Sequence, residues 1–129
     1  MADYLISDTV FDVSLQYLKD NVTKIVMCSQ EPTNYTEANA TYALAPVTVT
    51  GTDFTIANGA TDGRKVTVAQ KTGQTVTANG TITHAAWLDV SNTALLAVTK
   101  LSTNRAVTTA DTITMPAHFV ALRDAAVAT

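Results

Sequence analysis

From Val47 to Met115 the chain alternates threonine with Val, Ile, Ala or Leu, as in Val47-Thr48-Val49-Thr50, Lys65-Val66-Thr67-Val68 and Thr112-Ile113-Thr114-Met115. A β-branched polar residue at every second position suits the outer face of a strand whose other face is buried. Upstream the period changes. Phe11, Leu15 and Leu18 recur at i, i+4 and i+7, Ser7 or Asp8 is placed to cap, and Asp8, Asp12 and Lys19 have the signs that suit the two helix ends. This pattern predicts a helix over 8–20. Thr23 to Ser29 is a short apolar run between polar residues and reads as a central strand. Glu31-Pro32-Thr33-Asn34 is a turn cluster, since Pro32 has no N–H and restricts its predecessor. Thr36 is placed to cap one helical turn over 36–40, while Thr41-Tyr42 leans towards extended structure.

Pro46 opens the threonine-rich half, where strands are expected at 47–50, 53–57, 64–70, 74–78, 81–90, 94–101, 112–115 and 118–122. Spacing of this kind marks a sandwich or barrel. Asn58-Gly59, Asp62-Gly63, Thr72-Gly73 and Asn79-Gly80 carry turn chemistry for tight hairpins, and Ser91-Asn92-Thr93 is a polar break between two apolar runs. The expected fold is mainly β: an antiparallel β-sandwich or flattened barrel over 46–122, with one N-terminal α-helix on a face or edge. The chain reads as a single domain, 1–129, with an arm at 1–6 and the helix, strand and loop at 7–45. Inward positions should include Val47, Val49, Phe54, Ile56, Val66, Val68, Val76, Ile82, Leu88, Val90 and Ile113.

Composition narrows the function classes. Charged residues make up 15% of the chain and hydrophobic residues 47%, against about 25% charged in an ordinary soluble domain. Low charge with ample apolar content is the reverse of a disordered chain. A net charge of -3 with scattered Lys and Arg argues against nucleic-acid binding. No apolar stretch approaches the length of a membrane span, and the N-terminus lacks the basic and apolar regions of a signal peptide, so a protein made and folded in a cytoplasm is expected. The one cysteine, Cys28, lies in the apolar run Ile25-Val26-Met27-Cys28 and reads as a small buried hydrophobe rather than a nucleophile. Asn21, Asn34, Asn39 and Asn79 stand in Asn-x-Thr sequons, which a threonine-rich chain also produces by chance.

No catalytic, cofactor-binding or metal-binding constellation emerges. His84 and His118 fall in strand-like runs without the neighbouring ligands that zinc requires, and His84 is expected on or beside the apolar face with Ile82, Ala86, Leu88 and Val90. A Ser-His-Asp triad needs no sequence adjacency and stays open, although no Gly-x-Ser-x-Gly elbow exists. Asp53, Asp62, Asp89 and Asp111 sit at expected strand ends or turns, where a carboxylate accepts local backbone N–H groups. The glycines match no nucleotide-binding pattern, and the 58–63 loop offers too few oxygens for calcium. Trp87 is the outlier. It falls among Thr83, Ala85 and Asp89 on the face opposite Leu88, so either the helix covers it or it is presented to a partner as an interface anchor.

Several stretches resemble a known group when taken in order: Ser7-Asp8-Thr9-Val10-Phe11, Cys28-Ser29-Gln30-Glu31-Pro32-Thr33-Asn34-Tyr35, Thr41-Tyr42-Ala43-Leu44, Asn79 to Asp89, Leu95 to Thr99 and Thr114-Met115-Pro116-Ala117. They are similar to a family of small virion structural proteins of tailed bacteriophages. The resemblance implies a non-enzymatic capsid decoration, or cement, protein that binds the major capsid protein or another virion protein. A tail, neck or adaptor component, or a host-binding decoration module, is the alternative. It further implies self-association as a dimer or trimer and residence in the virion after synthesis in the host bacterial cytoplasm, with no cofactor, nucleic acid or membrane partner. This chain departs from the commonest form at Trp87 and in the tail Phe119-Val120-Ala121-Leu122-Arg123. Tyr4, Leu5 and Ile6 precede the capped helix, where frayed polar residues are usual, so the arm is expected to dock onto a neighbouring subunit or the shell beneath.

Overall fold

The computed structural model describes residues 7–59 and 63–123. The expected arm residues Tyr4, Leu5 and Ile6, and Asp62 of the expected turn, lie outside them. Helix α1 spans Asp8–Asn21. Ser7 caps it, its Oγ accepting the Thr9 N–H at 3.2 Å. Phe11 and Leu15 are buried and Leu18 packs beside them, which is the apolar stripe read from the sequence.

Among the described residues nine strands follow: β1 Lys24–Cys28, β2 Ala43–Thr48, β3 Phe54–Asn58, β4 Arg64–Val68, β5 Lys71–Thr75, β6 Gly80–Asp89, β7 Ala94–Val107, β8 Thr112–Met115 and β9 His118–Leu122. All recorded pairings are antiparallel. They form a four-stranded sheet in the order β2-β1-β6-β7, a three-stranded sheet β3-β4-β9 and a ribbon β5-β8. The molecule is therefore mainly β with one N-terminal helix, and its sheets are packed like a sandwich rather than closed into a barrel.

The main core lies between the sheets. Ile25, Met27, Ala45, Val47, Ala85 and Trp87 from the larger sheet meet Phe54, Val66 and Val68 from the smaller, with Val76, Ile113 and Met115 contributed by the ribbon and the chain beside it. Helix α1 packs against β3 and β4, and its Asp12 accepts from Arg64 Nε at 2.8 Å.

Several expectations shift. The sandwich begins at β1 and β2, not at residue 46, because β1 is flanked on both sides by β2 and β6. Pro46 lies inside β2, opposite Val26; β2 ends its sheet, and an edge strand tolerates a residue without an N–H. Thr41 belongs to a single π-type turn, Glu37–Thr41, instead of a strand. Thr36 makes no side-chain cap there; Asn34 Oδ1 accepts the Glu37 N–H at 2.9 Å.

The strand expected at 74–78 is displaced to Lys71–Thr75, and Thr72-Gly73 is not a hairpin turn but sits where the β5-β8 register slips. Asn79-Gly80 closes no hairpin either, since β5 and β6 lie in different sheets. Val90, expected inside, is 44% exposed. The other expected inward residues are buried, with Ile56 partly so.

Candidate interaction surfaces

Trp87 does not face a partner. It is fully buried, with its ring centroid 5.3 Å from that of Phe54 and 5.6 Å from that of His118. The covering element is the smaller sheet, through β3 and β9, rather than α1 alone. The alternation placed Trp87 opposite Leu88 correctly; what it missed is that the Trp87 face is the main core and that the face of Ala86 and Leu88 is covered as well. The pairing with β7 slips between Ile82 and His84, and the alternation is phased differently on the two sides of that slip. Ile82, Ala85 and Trp87 consequently share the main core, while Ala86 and Leu88 join a second cluster.

The tryptophan settles the state of His118. Its Nε1–H donates to His118 Nε2 at 3.0 Å, and an indole nitrogen is a donor only. The imidazole is therefore neutral at Nε2, with its proton on Nδ1 donated to the Pro116 carbonyl at 2.8 Å. Burial lowers the pKa of this histidine below its ordinary value, against a smaller opposing effect of the Pro116 bond. His84 lies apart, its Nδ1 2.7 Å from Thr83 Oγ1. The structure brings neither histidine into a triad geometry, and among the described residues no cluster of three His, Cys, Asp or Glu could hold a metal.

The remaining polar groups serve turns. Burial raises the Asp53 pKa, but the Thr50 N–H and the Lys71 ammonium, 3.1 Å away, more than offset it and hold the carboxylate low. Thr33 donates its hydroxyl and N–H to Glu37, which lowers that acid. Buried Asp89 accepts from the Asn92 amide and N–H and so closes the β6-β7 turn.

All four sequon asparagines are engaged locally. Asn21 donates to the Tyr17 carbonyl, Asn34 caps Glu37, Asn39 accepts from Lys24 and Asn79 accepts from Thr109. Cys28 is buried, and desolvation pushes its thiol up to about 12, far from the thiolate a nucleophile needs.

What remains open is apolar surface and sheet edge. On α1, Val10, Val13 and Tyr17 form a second stripe, exposed by 56%, 68% and 52%. Sequence reasoning passed over it because Phe11, Leu15 and Leu18 already accounted for the helix; its i, i+3, i+7 spacing was the available signal. On the smaller sheet, Phe119 is 50% exposed, with Lys65 Nζ 4.9 Å from its ring centre. Beside it runs a groove of about 390 Å³ between β7 and β9, lined by residues 99–103 and 116–119.

No family model, curated protein or solved structure matches this chain. Its surfaces must be read on their own chemistry. No helix among the described residues is long and apolar enough to cross a membrane.

Proposed function

We propose that this protein is a non-enzymatic structural component of a phage virion, a capsid decoration protein that binds and stabilises the head lattice through the major capsid protein. The observation that carries the reading is the exposed Val10, Val13 and Tyr17 stripe on a helix whose other apolar face is already buried. An apolar strip left exposed among the described residues suits a protein contact. The low charge supports the same reading, because a lattice-bound module gains more from packing area than from solvation. So does the use of the chemistry-bearing groups: His118 is bound to Trp87, Asp89 closes a turn and the Cys28 thiol is protonated. Many copies on a repeating lattice multiply individually modest contacts.

Electron microscopy of the assembled particle tests this directly. Copies spread over the head lattice are expected. Density at the neck or tail alone would replace decoration with an adaptor role, and absence from the particle would overturn the proposal.

A further inference from the structure

Among the described residues, two strands that end their sheets meet at the 390 Å³ groove. Strand β7 ends the larger sheet and β9 ends the smaller one. Within β7 the ladder to β6 opens: Lys100 pairs with His84 and Arg105 with Ile82, so residues 101–104 stand opposite Thr83 alone. Leu101, Pro116 and Phe119 give the groove an apolar part of its lining, and Lys100 lines it too. A strand that ends its sheet beside a partly apolar groove is the arrangement that accepts an added strand.

We infer that this groove receives residues 3–6 of a second copy of the chain, Asp3-Tyr4-Leu5-Ile6, as an extended strand along β7. The segment matches in chemistry. Tyr, Leu and Ile fit a pleated, half-buried position, and Asp3 complements Lys100. It also matches in length, since four extended residues cover about 13 Å, within the reach of the five-residue span 99–103.

Geometry selects a second copy over the chain's own arm. Helix α1 runs along the smaller sheet with its end at the Phe54 side, where the Lys19 carbonyl lies against Gly51. Its start lies at the other side, where Asp12 binds Arg64. Arg64 pairs with Leu122, at the opposite end of β9 from the groove residue His118. That separation is about 13 Å along β9, and Ser7 lies a further helical turn beyond Asp12. Tyr4, three residues before Ser7, cannot stray more than about 11 Å from it. The distance from Ser7 to the groove thus favours a segment supplied by a second copy.

A link of this size is smaller than a standard interface, so each is weak and the array is held by repetition. The inference concerns contact between copies and needs no capsid, so purified protein tests it separately from the proposed function. Chains carrying Leu5→Cys and differently tagged chains carrying Ser102→Cys are mixed and oxidised; the buried Cys28 thiol does not compete. The expected product is a reducible heterodimer of one chain of each kind, well above the homodimers formed by either variant alone. A double variant that cross-links only within one chain, or a mixture giving no heterodimer, overturns the inference. Sedimentation of the intact protein gives a second reading: Phe119→Asp and deletion of residues 2–6 should each weaken self-association by about tenfold or more. Unchanged association in both would also overturn it.

Discussion

The outer faces of the two sheets have opposite fates. On the larger sheet, Val26, Cys28, Ala86 and Leu88 point away from the main core yet are fully buried, because the irregular segment with Tyr35, Ala38 and Tyr42 folds across them. On the smaller sheet, Thr55, Lys65, Thr67, Phe119 and Ala121 occupy the corresponding face, and the described chain leaves it largely open. The difference was written in the alternation. Strand β1, Ile25-Val26-Met27-Cys28, is continuously apolar, as a strand covered twice must be, whereas Arg64-Lys65-Val66-Thr67-Val68 alternates. Continuous hydrophobicity marks cover on both sides; alternation marks a face left for solvent or a partner.

The sharpest way to break this contrast is to empty each core in turn. Trp87→Ala should cost about 3–5 kcal/mol, since it opens a large cavity and strands the His118 acceptor. Leu88→Ala on the covered outer face should cost about 2–5 kcal/mol. Both are read from urea unfolding, and a loss at Leu88 below 1 kcal/mol would show that the second cluster is loosely packed. Gly63→Ala comes next. Gly63 has φ of 69°, and an added Cβ would run into the Leu122 carbonyl of the paired β9. A loss of about 2 kcal/mol or more is expected, combining strain with displacement of β9 from the open sheet.

A smaller effect depends on pH. His118 has its pKa lowered in the fold, so above about 6.5 neither folded nor unfolded chain carries that proton. As pH falls below this value, the unfolded chain binds a proton that the folded site refuses, and stability declines until the lowered folded pKa is reached. The slope is at most about 1.4 kcal/mol per pH unit for one proton. Melting temperatures from neutral to mildly acidic pH should fall more steeply for the intact protein than for His118→Gln, whose amide oxygen can still accept from Trp87. Smallest of all, Phe119→Ser on the open face should change monomer stability by no more than about 0.5 kcal/mol. A loss comparable to that at Leu88 would mean the two outer faces are not different after all.

Much of this fold was legible beforehand. The helix, the strands at 112–115 and 118–122 and most of the inward positions follow from period, caps and turn residues. The errors cluster where a local pattern meets a tertiary exception. Thr72-Gly73 and Asn79-Gly80 carry hairpin chemistry, yet the first became a bulge and the second a place where Asn79 receives the Thr109 N–H. Turn propensity says that the chain bends, not which strand it meets next. Val90 continued the β6 alternation, but the strand had ended at Asp89, whose carboxylate holds the following turn.

Alone, the sequence determined the class of structure: a β protein with one amphipathic helix and a weakly charged surface. These depend on residue-by-residue periodicity and composition, which no distant contact can change. Only the tertiary structure decided that the face of Trp87 is the main core, the neutral tautomer of His118, the cover over Leu88 and the two sheet edges that meet beside Phe119. Each depends on elements far apart in the chain: Phe54 and His118 pack on Trp87, and the segment with Tyr35, Ala38 and Tyr42 closes over Leu88.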